Sequence, residues 1–368
     1  MATVQRYVNT ASTPGGDGTT NETTGATRAY ASLSEWEANV SGAATDDFIV
    51  DCCGTAADTT PVDVNFATDI TTGSILIRGN RSDPAGFYNG TEVISANHYR
   101  LSGTLSTDGY MLRTLEPRTT IDGIQVQATR SSSSGSGAFR LIKGEAAGEF
   151  TARNNRCLGL NNGANIGGGI GSSLLFSGQT ATFENNLVVS TITGIDRRVT
   201  NGQAGTITVL HNTVYGTNTG SGNGINIDRG TGAGSVTVNI KGNASANNAG
   251  SDIANLGSQG TATLEDNATE DTTGDIQSII ATDAWTSPGL TASSVFTVKN
   301  TSSALYSAVS PTLLTEDLTE FTRDGANHDV GALEFQGGGG GGLAAGAESF
   351  YLPGGLQPQT NPLTISKW

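Results

Sequence analysis

Charge is scarce in this chain of 368 residues: Asp, Glu, Lys and Arg make up 14% of it, where about a quarter is usual. What charge there is leans one way. Nineteen Lys and Arg stand against 34 Asp and Glu, a formal net charge of −15, which excludes duplex DNA or an anionic membrane as the main partner. Three cysteines are too few for a disulfide framework. Cys52 and Cys53 are adjacent and Cys157 is remote, so buried free thiols are expected. No apolar run approaches the ~18 residues of a membrane-spanning helix. The opening Met1-Ala2-Thr3-Val4-Gln5-Arg6 has no basic region followed by an apolar stretch, so no secretory signal is read there and synthesis in a host cytoplasm is expected. Proline (9) and methionine (2) are rare, and aromatic residues reach only 6%.

Glycine is plentiful, 51 of 368 or about 14%, roughly twice its usual share. Ser, Thr and Asn fill the places that charge leaves. Such a composition suits short strands and tight turns, not long helices.

Residues 1–45 carry one helix signal. Ser32-Leu33-Ser34-Glu35 is a capping box, and Leu33, Trp36 and Val40 give a short amphipathic face. Thr13 to Arg28 reads as a loop. From residue 46 the text turns to β-branched runs such as Phe48-Ile49-Val50, Val62-Asp63-Val64 and Ser74 to Arg78.

Between about residues 98 and 270 the sequence repeats. The segments Glu149 to Leu158, Thr182 to Val189, Ile207 to Tyr215, Val236 to Ala244 and Ala262 to Ala268 each read strand, polar residue, Asn, strand. The asparagines fall at 155, 186, 212, 243 and 267, in steps of 31, 26, 31 and 24. Gly123 is placed in the same slot of an earlier copy. Three short strands per repeat suit one coil of a β-solenoid. Asn or Gly is required where the chain bends with positive φ, and stacked Asn amides can bond along the axis as a ladder. Asn155, Asn186, Asn212, Asn243 and Asn267 are therefore expected at one corner. Inward rows are expected beside them, Leu187 with Thr213 and Val189 with Tyr215.

This pattern resembles the right-handed parallel β-helix, or pectin-lyase-like, family over residues 30–335, in the form found in tailed-phage virions. The helix at Ser32 to Val40 stands where such proteins place an N-terminal cap. Asp324 to Phe335 looks like their closing segment. The resemblance implies an all-β, right-handed parallel β-helix solenoid over 46–335, with an N-terminal segment and capping helix in 1–45.

Gln336 and six glycines, 337–342, follow as a linker with a reach of roughly 20 Å. Residues 343–368 place Phe350, Tyr351, Leu352, Leu363, Ile365 and Trp368 among Pro and Gly. These residues read as an extended C-terminal arm that docks on a partner.

Enzymes of the resembling family cleave polysaccharides, which requires clustered carboxylates with a base, or a carboxylate pair about 6.5–9.5 Å apart for inversion. The weak catalytic candidates are Asp196, beside Arg197 and Arg198, and Asp228, beside Arg229. Surface ion pairing is the favoured reading of both. The paired-Asp, His-Gly and Arg-x-Pro-x-x-Arg motifs of that family's enzymes are absent. His98, His211 and His328 are dispersed; His211 holds the polar slot before Asn212, a turn position. No metal or cofactor spacing is visible, and the single Gly15-Gly16-Asp17-Gly18 turn is a weak calcium signal. The sequons Asn89-Gly90-Thr91 and Asn243-Ala244-Ser245 imply no glycan.

The expected function is a non-enzymatic virion structural protein, a surface decoration, fibre or spike subunit anchored by its arm. The alternatives are a tailspike that binds or cleaves host polysaccharide, and a bacterial surface adhesin. Expected partners are further copies of the chain, with a trimer as one option, other virion proteins and, as a further option, host glycans, with no nucleic acid and no membrane insertion. The expected location is the virion surface.

Overall fold

The computed structural model describes residues 2–66, 70–105, 109–130, 140–145, 148–160, 168–174, 178–199, 203–216, 222–228, 235–254, 260–306, 308–309, 314, 316–319, 323 and 328–333. The linker and the arm residues Phe350, Tyr351, Leu352, Leu363, Ile365 and Trp368 lie outside the described residues, as does Arg229.

Strand β1 (Thr3–Asn9) and helix α1 (Leu33–Asn39) precede the first complete coil. That coil is β2 (Asp47–Cys53), β3 (Ala57–Asp58) and β4 (Val62–Val64). The second is β5 (Ile75–Gly79), β6 (Arg100–Leu105) and β7 (Tyr110–Thr114); the third is β8 (Thr119–Asp122), β9 (Gln125–Arg130) and β10 (Arg140–Gly144). Next come β11 (Glu149–Arg153), β12 (Arg156–Leu160) and β13 (Gly168–Leu174), then β14 (Gln179–Glu184), β15 (Leu187–Val189) and β16 (Thr193–Val199). Two more coils follow: β17 (Gly205–Leu210), β18 (Thr213–Tyr215) and β19 (Ile225–Asp228), and β20 (Val236–Lys241), β21 (Ala244–Ala246) and β22 (Ile253–Ala254). A partial coil, β23 (Thr261–Glu265) and β24 (Ala268–Thr269), ends the series; α2 (Ala281–Ala284), β25 (Trp285–Ser287) and β26 (Val295–Val298) stand outside it.

Each strand pairs with its counterpart one coil away, giving three long parallel sheets. Sheet A has 9 strands in the order β1-β2-β5-β8-β11-β14-β17-β20-β23, sheet B has 8 and sheet C has 7. Because the chain visits A, B and C in the same order every time, this is an all-β stack with the connectivity of a parallel β-solenoid.

Alternation decides which side chains enter the core. In β14, Ala181 and Phe183 are buried while Thr180 and Thr182 are half-exposed. In register, Val50, Ile77, Ile121, Ala152, Phe183, Val209 and Ile240 form one interior row, each fully buried. All three cysteines are free and buried.

The corner between sheets A and B is a two-residue bend. Its first residue is left-handed in successive coils: Gly123 (φ 70°), Asn154 (56°), Asn185 (51°), His211 (51°), Gly242 (67°) and Asp266 (56°). Gly123 therefore aligns with Asn154, not with Asn155, which corrects the sequence alignment by one place. The next residue, Asn155, Asn186, Asn212, Asn243 or Asn267, turns its amide inward, where it is buried. Each Nδ2 donates to the next Oδ1: Asn155 to Asn186 at 3.1 Å, then Asn186 to Asn212, Asn212 to Asn243 and Asn243 to Asn267 at 2.9 Å. Each Oδ1 also accepts a backbone N–H from the preceding coil, as Asn212 does from Asn186 at 2.9 Å. The second amide proton reaches a carbonyl of the preceding coil, as from Asn212 to Phe183 at 2.9 Å. Nothing polar in this column is left unsatisfied.

The coiled region also starts earlier than residue 46. β1 pairs with β2 along its whole length, Thr3 with Asp47 through Asn9 with Cys53. Helix α1 packs against β1 and β4 and buries Leu33 and Trp36. Its Ser32 Oγ accepts the Glu35 N–H at 3.0 Å. Asp58, buried in β3, accepts the Leu33 N–H at 2.8 Å and the Tyr99 hydroxyl at 2.9 Å.

At the other end, the described residues after Thr269 add no further coil, and several of them lie along the outer face of sheet B. Leu187, Val189, Ala244 and Ala246 point outward there and are covered by Trp285, Phe296, Val298, Leu305, Val330 and Ala332. The expected rows exist, since Leu187 is opposite Thr213 and Val189 opposite Tyr215, but they face away from the solenoid interior, which Val188 and Val214 enter instead. Tyr215 lies 5.0 Å from the Phe296 ring and 6.0 Å from Trp285. Of the segment expected to close the solenoid, His328 to Leu333 lies on this outer face. Gly331 N–H donates to Gly242 O at 2.7 Å and Ala332 N–H to Thr213 Oγ1 at 2.9 Å. Gly331 is left-handed (φ 98°), and a Cβ there would stand 2.6 Å from Thr213 Oγ1, so only glycine allows this approach.

Truncating Asn212 to Ala strands the Asn186 N–H and one of the two Asn186 Nδ2 protons in a dry corner. Each stranded group costs about 1–3 kcal/mol, so Asn212→Ala is expected to lower unfolding free energy by about 2–6 kcal/mol in chemical denaturation. Thr208→Ala, on the outward face of the same coil, is expected to stay within about 0.5 kcal/mol of wild type.

Candidate functional site: a charged cleft on sheet A

One column of residues at or near the ends of the sheet-A strands from β2 onward, just before the corner, runs along the outer face of the sheet. In register these are Asp51, Arg78, Asp122, Arg153, Glu184, Leu210, Lys241 and Glu265. The first five alternate in sign, which favours each neighbouring pair. Neighbours in the column are about 4.8 Å apart along the axis. Arg78 grips Asp51 with two N–H groups, at 2.6 and 3.3 Å. Asp122 receives Arg153 at 3.1 Å, Arg81 at 3.2 Å and the Asn154 amide at 2.8 Å. Asp51 and Asp122 are each only 2% exposed, so these pairs form a fixed floor and not a loose surface network.

The returning C-terminal segment supplies a wall. Leu314, Glu316 and Asp317 face Leu76, Arg78, Arg81, Asp122, Arg153, Asn154, Glu184 and Asn185 across a cleft of about 490 Å³. Asn185 pins this wall by donating to Glu316 O at 2.8 Å. Arg323 donates to Asn185 Oδ1 at 2.8 Å and to Glu316 O at 3.2 Å. Burial raises the Glu184 carboxyl above the usual range; Arg153 opposes that shift and Asp122 adds to it.

Asp196 and Asp228 lie elsewhere, on sheet C. Asp196 is clamped by an ion pair to Arg140 and by the Asn226 amide at 2.9 Å. It stands opposite Asn226, while Asp228 stands opposite Arg198. The two candidates occupy one face of adjacent strands, two residues out of step. Arg197 points into the core, 2% exposed, and bonds Ser172 Oγ. Burial lowers its guanidinium to about 9. Among the described residues no group of three or more His, Cys, Asp or Glu side chains is placed to hold a metal ion.

His98 bonds Ser95 Oγ at 3.0 Å and lies 4.8 Å from the Tyr88 ring. His211 occupies the left-handed corner slot, fully buried, with its ring 6.1 Å from that of His328. Gly242 makes room for it: a Cβ there would meet the His211 ring at 2.9 Å. Neither ring nitrogen of His211, nor Nδ1 of His328, makes a hydrogen bond. Burial first, then Arg323, holds both imidazoles below their usual range; His328 and Lys241 add to the effect on His211, against the Asp329 carbonyl.

The acidic column and its arginines were not singled out from the sequence, because partners such as Asp122 and Arg153 are far apart along the chain. A signal is present once the coils are aligned: Asp122-Gly123, Arg153-Asn154, Glu184-Asn185, Lys241-Gly242 and Glu265-Asp266 each place a charge before the corner residue. No protein-family model, curated protein or solved structure matches this chain.

The two depressed histidines make the docking of the return segment pH-dependent. As pH falls below about 6.5, exposed imidazoles in the unfolded chain take up protons before these two do. Stability is therefore full above that pH and declines as the pH drops further. The unfolding midpoint is expected to fall between pH 7.5 and 5.0. Hydrogen exchange at Val330 to Leu333 is expected to accelerate, after correction for intrinsic rates. His211→Asn, which puts at this slot the residue found at Asn154 and Asn185, is expected to flatten that dependence.

Proposed function

We propose that the chain is a non-enzymatic structural subunit displayed on a particle surface, of the kind found in tailed-phage virions. In this reading it is a right-handed parallel β-helix rod, shielded at its first coil by α1 and fixed to its assembly by residues 343–368. The observation that carries it is the unbroken Asn155-to-Asn267 column. Satisfied buried amides in successive coils make a stiff rod, which is what a projecting subunit requires. The clamped state of Asp196 supports the non-enzymatic part, because a carboxylate held by Arg140 and Asn226 is a poor proton carrier. The acidic, Thr- and Asn-rich surface suits display, and the Gly-linked apolar text of the arm suits attachment to sister chains or other particle proteins.

Residues 1–335 form one compact unit, so a chain ending at Gln336 is expected to fold. Light scattering should find the full chain multimeric and the truncated chain monomeric with unchanged β-rich circular dichroism. Equal assembly of both would remove the arm from the proposal.

Cleavage of host polysaccharide is the second reading, favoured by one observation: Asp196 and Asp228 share a face on adjacent strands. No turnover of polygalacturonate, alginate or capsular polysaccharide is expected. Turnover lost in both Asp196→Ala and Asp228→Ala would establish cleavage instead.

A further inference from the structure

Beside the cleft, the solvent face of sheet A carries a regular array of threonines. One column, in register, is Thr120, Thr151, Thr182, Thr208, Asn239 and Thr263. A second, two residues earlier in each strand, is Thr180, Thr206, Thr237 and Thr261. All are half-exposed or exposed. From β14 to β23 neither column holds a charge. Strand propensity alone does not account for this, because an outward column of sheet C reads Asp63, Arg113, Lys143, Gly171, Asp196 and Asn226. The hydroxyls of the array are also left to water. Thr114 and Thr119 bond each other at 2.9 Å, and Thr269 bonds Asp271 O at 3.0 Å. No hydroxyl of the array bonds any of the described residues.

We infer that this array binds ice. Its hydroxyls repeat in two directions, about 4.8 Å from coil to coil and about 6.6 Å along each strand. Both repeats lie near those of a prism face of hexagonal ice. Threonine is β-branched and stiff at χ1, so each hydroxyl keeps its place. A hydroxyl donates and accepts, as each lattice water does. The methyl group beside it presents apolar surface, which leaves neighbouring waters bonded to one another. A charged side chain would orient its own water shell and break the lattice, and these four coils present none in either column. The Asn column locks the same coils in register, and a side-chain ladder of this kind favours an untwisted sheet. Little ordering is therefore left to occur on contact with a periodic solid. An array without charge gives an ionic partner nothing to pair with, whereas water is the partner these hydroxyls already have. The inference goes beyond the assembly reading and does not depend on residues 343–368.

The test is direct observation of ice with the full-length chain. It is expected to shape a single crystal held just below its melting point and to open a gap between melting and freezing temperatures. It is also expected to slow recrystallisation of polycrystalline ice. Thr206→Lys combined with Thr208→Lys is expected to shrink the gap several-fold with unchanged circular dichroism, since both side chains face outward. If that double variant fails to fold, Thr237→Lys, at an exposed position in the next coil, carries the test. Arg198→Ala, on the exposed face of sheet C, is expected to leave the gap unchanged. Absence of crystal shaping and of recrystallisation inhibition would overturn the inference, as would activity that survives the lysine substitutions. Self-association lost in the double variant, with no effect on ice in either chain, would overturn it too and assign the array to a second copy.

Discussion

The structure depends on one constraint: a buried primary amide has to satisfy two donors and an acceptor at a corner where water is excluded. Asn155, Asn186, Asn212 and Asn243 meet it by bonding to the coil on either side, and Asn267 by bonding to the coil before it. A one-residue slip of any coil would remove the Asn from the column and leave several groups unsatisfied at once. Register in sheet A is thereby locked, and sheets B and C follow because they are covalently continuous with it. The interior row from Val50 to Ile240 and the exterior row from Asp51 to Glu184 are consequences of the same register. A charge column of alternating sign arises only where coils stack without slippage.

A second constraint acts on sheet B. Leu187, Val189, Ala244, Ala246 and Tyr215 turn apolar surface outward, and surface of that extent requires a cover. The chain supplies one by returning over it after the last coil. This return is what brings Glu316 and Asp317 beside Arg153 and Asn185, so the cleft is a by-product of covering sheet B. Among the described residues its wall is held by Arg323 with Asn185, Asn185 with Glu316 and Gly331 with Gly242, beside the His211 and His328 rings. Such a segment belongs to the less stable part of the molecule.

The coil period was legible because β-branched strands followed by Asn recur in phase from Asn155 to Asn267. The corner itself was read one place late. Gly123 and Asn155 both tolerate positive φ, and composition alone cannot say which of two adjacent polar residues bends the chain. The facing of Leu187 and Val189 was not legible either. Outward apolar residues look like inward ones until the covering segment is known, and Trp285 and Phe296 carry no mark of their destination. β1 was missed because Arg6 interrupts the Val4–Val8 alternation and 37 residues separate Asn9 from Asp47. Asp196 and Asp228 drew notice as neighbours of arginine, whereas Asp122 and Glu184 gain their character from coils above and below them. Sequence proximity was the wrong guide to both.

The most direct measurement on the amide column is side-chain hydrogen exchange by NMR on a chain labelled with ¹⁵N at asparagine. The Nδ2 protons of Asn155, Asn186, Asn212 and Asn243 should exchange only through global unfolding, with rates that track denaturant-induced unfolding together. Exchange of these amides within minutes under native conditions, at the rate of exposed asparagines, would contradict a continuous buried ladder and the register that rests on it.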